Sequence, residues 1–167
     1  MSDPFSLSRF ERAQDEAGTY QRALLELQAG RKRSHWMWFV FPQLEGLGRS
    51  PMSQKYAIAS LAEARAYLDH PVLGARLLAC ARTVAELRGP SAQDVFGVTD
   101  AAKLRSSMTL FAHVCPEGSV FHAVLERYFD GAVDVTTEAR LQDAAREPGS
   151  RPGGSGASRP GATSSSA

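Results

Sequence analysis

The sequence predicts an all-α domain of about seven or eight helices, and three observations carry that reading. Apolar residues recur at i, i+3 and i+4 in one segment after another. These segments open on Ser, Thr or Asp and close on Gly or Pro, as the orphan N–H and C=O groups of helix ends require. Nowhere do apolar and polar residues alternate between turn signals, so no strand or hairpin is predicted.

Leu7, Phe10 and Ala13 define the first helix, with Asp3 or Ser6 available as caps, and Gly18 breaks it. Tyr20, Ala23, Leu24 and Leu27 form the second stripe, and Gly30 stands where a C′ glycine belongs. Leu44 to Pro51, with Gly46 and Gly48, is expected to be loop. Its Gly-Leu-Gly lacks the further glycine and the Lys-Ser pair of a phosphate loop. Ser60-Leu61-Ala62-Glu63 reads as a capping box that starts a helix at Leu61 and runs to about Asp69. Pro71 is expected at the first position of the next helix, whose core face is Val72, Leu73, Leu77, Leu78, Val84 and Leu87 and which Gly89-Pro90 ends. Ser91 caps a short turn reaching Gly97, and Asp100 is expected to cap a separate helix through Leu104, Met108, Phe111 and Ala112. Ser119 opens a helix closed by Gly131, and Asp134 or Thr136 starts the last one. From Pro148 the chain is almost wholly Gly, Ser, Pro, Ala and Arg, which predicts a disordered tail over 148–167.

A length of 167 residues suits one domain, and a hydrophobic fraction of 43% suffices for a core. The net charge of +1 excludes polyanion binding by bulk charge, so a nucleic-acid role needs a local patch. Cys80 and Cys115 lie in no CxxC or His-rich cluster, so no metal site is predicted and both are read as reduced core thiols. No cofactor motif, secretory signal, lipidation motif or membrane span is read, which gives a cytoplasmic expectation with no membrane partner.

The stretch Gly30 to Gln43 organises the functional reading. It sets three cations, Arg31, Lys32 and Arg33, against six large apolar residues, Trp36 to Phe41, with Ser34 and His35 at the join. The apolar run can bury on the order of ten kcal/mol of gross hydrophobic free energy. Pro42 stops it. The cations must stay near the surface or meet an anion. Ser34 is read as an N-cap that opens a helix at His35, leaving free N–H groups beside the cations, which is an anion site in the making. The plainer reading is a solvated basic turn leading into a core helix.

His35 is a candidate phosphate donor or general base, set against an ordinary core-edge histidine. Lys103, Ser106 and Ser107 fall at i, i+3 and i+4, and the three hydroxyls Ser106, Ser107 and Thr109 cost helix propensity. That cost fits a polar cleft wall, or hydroxyls bonded back to helix carbonyls. There is no GxSxG elbow. Gln43 adds a polar tip, while His70, His113 and His122 show no metal-ligand spacing and receive no role.

The run Gly-Arg-Lys-Arg-Ser-His-Trp-Met-Trp-Phe-Val-Phe-Pro-Gln resembles the signature of the DUF1810 family of bacterial proteins. The resemblance continues through Ser60 to Leu68, His70 to Gly74, Phe96-Gly97 and Lys103 to Phe111, and covers about residues 3–141. It implies a single, mainly α-helical domain and brings no established activity. Some members carry a calpastatin label, for which no residue here gives a basis. A fainter similarity to the NADAR group, linked to ADP-ribose N-glycoside hydrolysis, transfers no residue.

Three functional expectations follow. The first is a pocket for an anionic small molecule, such as a nucleotide or ADP-ribose-like compound, with hydrolysis as an attached activity. In it Arg31, Lys32 and Arg33 hold phosphate, Trp36 or Trp38 stacks a ring, Gln43, Lys103 and Ser107 line the site, and His35 with Ser106 supplies polar or catalytic groups. The second is a nucleic-acid module that uses the same cations and an exposed tryptophan. The third is a protein-interaction domain without catalysis.

Overall fold

The computed structural model describes residues 2–146, and the tail expected over 148–167 lies outside the described residues. Among the described residues nine α-helical segments follow one another: α1 (Ser8–Asp15), α2 (Thr19–Gln28), α3 (Met37–Val40), α4 (Pro51–Lys55), α5 (Leu61–Asp69), α6 (Leu73–Glu86), α7 (Ala92–Ala112), α8 (Val120–Phe129) and α9 (Val135–Arg146), with a 3-10 turn at Glu16–Gly18 between α1 and α2. Seven of them have eight residues or more, while α3 and α4 are single turns. No strand forms among the described residues, and one parallel bridge joins Leu44 to Ile58. The domain is all-α, as its periodicity requires.

Helix starts follow capping chemistry. Ser60 accepts the Glu63 N–H at 3.1 Å, and Ser119 accepts that of His122 at 3.4 Å. Ser91 and Asp94 form a reciprocal capping box at the head of α7. Asp134 accepts the Thr137 N–H at 2.9 Å and so caps α9. At Ser60 the expected box is displaced: the Glu63 carboxylate accepts from Ala59 N instead and pairs with Arg9 at 3.0 Å.

Four expectations are corrected. The helix after the cations does not open at His35 under a Ser34 cap. Trp36 precedes α3 with no side-chain cap, and only four residues coil before Phe41 and Pro42 leave helical angles. The regular helix after Pro71 starts at Leu73, two residues later than expected, and His70 caps its entry: its Nδ1 accepts the N–H groups of Val72 and Leu73 at 3.2 and 3.1 Å and its carbonyl accepts that of Gly74 at 2.9 Å. Asp100 does not start a helix either. The span of α7 is two helical segments broken at Gly97 (φ 78°, ψ 168°), as expected, and Asp100 lies inside the second, paired with Lys32 and Lys103 rather than capping it. Finally, the Gly-rich loop ends in α4, where Ser50 caps and Pro51 takes the first position.

The run Trp36 to Phe41 sits in the core, with Trp36, Met37, Phe39, Val40 and Phe41 buried and Trp38 half-buried. Phe41 packs edge-on to Phe96 of α7 at 6.2 Å between ring centroids, and Phe39 meets Tyr56 at 5.3 Å. A short helix leaves its carbonyls without partners. The Phe39 carbonyl is met by Gln14 Nε2 at 2.8 Å and by the Tyr67 hydroxyl at 3.3 Å, both from buried side chains. The central stretch is thus the hub on which α1, α5 and α7 converge. Cys80 is buried and Cys115 half-buried, and both are free thiols. No helix among the described residues is long and apolar enough to cross a membrane.

Candidate functional site

The three cations follow different fates because residues 31–36 form an irregular segment, bent at Ser34 and His35, rather than a helix. Arg31 and Arg33 turn to solvent, while Lys32 turns inward. The Lys32 backbone N–H donates to Val95 O at 2.8 Å, which ties the segment to α7. Its side chain is 8% exposed and its Nζ sits 2.9 Å from Asp100 Oδ2. The same ammonium donates to Ser34 O at 2.6 Å and lies 5.0 Å from the Trp36 ring centroid.

The N–H groups expected to await an anion are already taken. Glu26, on α2, accepts from Arg33 N at 2.7 Å, Ser34 N at 2.9 Å, Ser34 Oγ at 2.6 Å and the Trp36 indole at 2.9 Å. Burial pushes its carboxyl pKa up, but the Ser34, Arg33 and Trp36 donors outweigh it and hold the group down at about 2. The carboxylate of the protein itself therefore occupies the place assigned to a ligand phosphate. Arg31, Lys32 and Arg33 do not converge on one cradle.

A second relationship joins the two sequence constellations. Asp100 Oδ1 is 3.5 Å from Lys103 Nζ, so one carboxylate serves both Lys32 and Lys103. Lys103 in turn stands 5.2 Å from the Trp38 ring centroid. Each lysine thus covers one of the two tryptophans, an arrangement favourable for a cation over an aromatic face.

Beside Lys103 opens a cleft of about 360 Å3, where the 43–48 loop, the middle of α7 and the start of α9 meet. Gln43, Lys103 and Ser106 all line it, together with Leu47, Gly48, Val98, Thr99, Ala102, Asp134 and Thr136. Gln43 is fixed through its backbone, whose carbonyl accepts Ile58 N at 2.8 Å. Its side chain is half-buried. Ser106 donates to Ala102 O at 3.1 Å, the back-bonded state of a helix serine, and no imidazole is bonded to it. Val98 is 71% exposed, unusual for a large apolar side chain in a cleft wall.

Seven expected site residues fall outside this cleft: the cations Arg31, Lys32 and Arg33, and His35, Trp36, Trp38 and Ser107. Trp36 is 0% exposed and cannot stack on a ligand. Ser107 is also 0% exposed, and its hydroxyl has no partner. His35 is exposed and lines neither this cleft nor the recess at Trp38. That recess, shared with Gln43 and Gly48, encloses about 10 Å3, enough for about one water and too small for a ring. Trp38 therefore acts as a support for Lys103. Sequence reading missed Asp100 as a partner, having assigned it to a cap, and passed over Leu47, Val98, Thr99 and Thr136.

The histidines left without a role have local structural ones. His70 Nε2 meets Glu11 at 2.8 Å, His113 Nε2 meets Glu138 at 2.7 Å, and His122 Nδ1 meets Ser119 Oγ at 2.7 Å.

The family model described as "Protein of unknown function (DUF1810)" matches residues 4–141, which holds the cleft and the whole central stretch. The chain belongs to the DUF1810 family. This DUF1810 domain is similar to the conserved hypothetical protein Rv1873 from Mycobacterium tuberculosis, known from a crystal structure. The two share 51% identity at a TM-score of 0.81, over 84% of this chain and 99% of that one. No curated protein matches the chain.

Proposed function

We propose that the cleft beside Lys103 binds a small organic anion. One observation supports the reading: the Lys103 ammonium, over Trp38 and 3.5 Å from a carboxylate it shares with Lys32, stands in the same cleft as the half-buried Gln43 side chain. A few polar groups converging in a mostly apolar hollow are what orient a bound ligand. Lys103 would pair with the anion, Gln43 would donate to it, and Leu47, Val98 and Ala102 would cover its carbon skeleton. Ser106 retains acceptor capacity, since its proton is spent on Ala102 O. A hydrolytic role is the weaker part of the expectation, because neither Ser106 nor His35 has the partner that activates a nucleophile or base.

A thermal-shift screen of organic anions, carboxylates and nucleoside phosphates together, tests the reading. Hits on the wild type that disappear in Lys103→Met support it, and a screen without hits removes it. The nucleic-acid alternative draws on the exposure of Arg31 and Arg33. It requires a short single-stranded oligonucleotide to bind and to lose ~10^3 or more in affinity between about 50 and 200 mM salt, the mark of six or more phosphate contacts.

A further inference from the structure

We infer that the cleft selects an organic monoanion with an apolar body, a small aromatic carboxylate, and rejects diphosphates. The inference rests on the reading that the cleft binds an anion at Lys103. Charge sets the first limit. Lys103 is the one cation among the lining residues, and it is already partly matched by Asp100. Lys32 stands on the same carboxylate at 2.9 Å, and its remaining contact is the Ser34 carbonyl, so it is turned toward the protein. Asp134 is the one carboxylate among the lining residues, and Asp100 stands behind Lys103, outside the lining. Lys103 and Asp134 balance within the lining, Lys32 and Asp100 balance behind it, and the site is close to neutral before anything enters.

A single added negative charge is matched when Lys103 leaves its long contact with Asp100 and pairs with the ligand. Each further charge meets Asp134 in the lining and the field of Asp100 behind Lys103, with no lining cation remaining. Arg31 and Arg33 are absent from the lining and do not supply one. Diphosphate sites gather several cations, metal ions or backbone N–H groups for this reason.

The second limit is the wall. Leu47, Val98 and Ala102 offer apolar surface, and covering Val98 removes from water a side chain that folding leaves 71% exposed. The volume of about 360 Å3 lies at the small end of ligand clefts, which suits one ring with a short acidic arm.

The test is a two-dimensional amide NMR titration with four probes: phenylpropionate, the uncharged phenylpropanol, the dianion benzylmalonate, and ADP-ribose. Phenylpropionate is expected to move the amides of Leu47, Val98 and Ala102. It should bind about tenfold tighter than the alcohol or the dianion, and lose that advantage in Lys103→Met. Asp100→Asn is expected to raise benzylmalonate affinity, since it removes the repelling carboxylate. Tighter binding of benzylmalonate or ADP-ribose than of phenylpropionate at these amides, or no gain in Asp100→Asn, overturns the monoanion inference and leaves the anion cleft standing. Equal binding of acid and alcohol, or no movement of these amides by any probe, removes the anion reading itself.

Discussion

The Glu26 carboxylate accepts the indole N–H of Trp36 at 2.9 Å while the same oxygen takes the N–H groups of Arg33 and Ser34. A carboxylate on α2 thereby fixes the irregular segment that leads the buried tryptophan into the core. Its pKa is held at about 2, below the ordinary value of 4.5, so the stability it contributes is present above the unfolded pKa and is lost as the pH falls toward the folded one. Glu26→Ala should cost about 2–3 kcal/mol at neutral pH, the scale for leaving charge-assisted donors unmatched. Glu26→Gln keeps acceptors and should cost less. The stability gap between wild type and Glu26→Gln should shrink between about pH 5 and pH 2, followed by urea denaturation. A gap that stays constant across that window would show that the charge of Glu26 is not what holds the segment.

The adjacent cations should behave unequally. Lys32 is buried against Asp100, Ser34 O and Trp36. Lys32→Ala is expected to lose about 2–3 kcal/mol, as when one partner of a desolvated pair is removed. Arg31→Ala and Arg33→Ala, at exposed side chains, should stay within about 0.5 kcal/mol of wild type. Thermal unfolding of the three single variants decides it, and similar losses in all three would contradict the alternation.

Ser107 is fully buried with an unpartnered hydroxyl. Ser107→Ala removes a desolvated polar group and improves helix propensity, so a gain of about 0.5–1.5 kcal/mol is expected. A loss in the denaturant midpoint would reveal a partner for the hydroxyl.

Gly74 lies where α5 and α6 cross. A Cβ there would fall 2.0 Å from the Leu68 carbonyl oxygen, a backbone atom that cannot turn aside. Alanine normally gains up to about 1 kcal/mol over glycine inside a helix. Gly74→Ala should instead lose about 2 kcal/mol or more, through overpacking. An unchanged urea midpoint would mean that the crossing has slack.

Much of the fold was legible because it is encoded locally. Ser60, Ser91 and Ser119 start helices, since a hydroxyl three residues ahead of an N–H caps it whatever the rest of the chain does. Gly30, at φ 76°, ends α2 because the left-handed turn there favours a residue without a Cβ. The stripe Leu104, Met108 and Phe111 is buried because three and four residues of separation bring side chains to one face.

The site was legible only in part, because it depends on pairs far apart in the chain. Sequence marked Gln43, Lys103 and Ser106 as chemically loaded, and they share a cleft. It also marked Trp36 and Ser107, which packing buries. The sequence by itself determined where helices begin and end, and which residue types stand where a ligand could use them. Only the tertiary structure decided that Glu26 takes the N–H groups beside the cations, that Asp100 divides itself between Lys32 and Lys103, and that His35 is left in solvent. Capping and periodicity act over four residues of chain, whereas a carboxylate chooses its partners by distance in space, which no local spacing records.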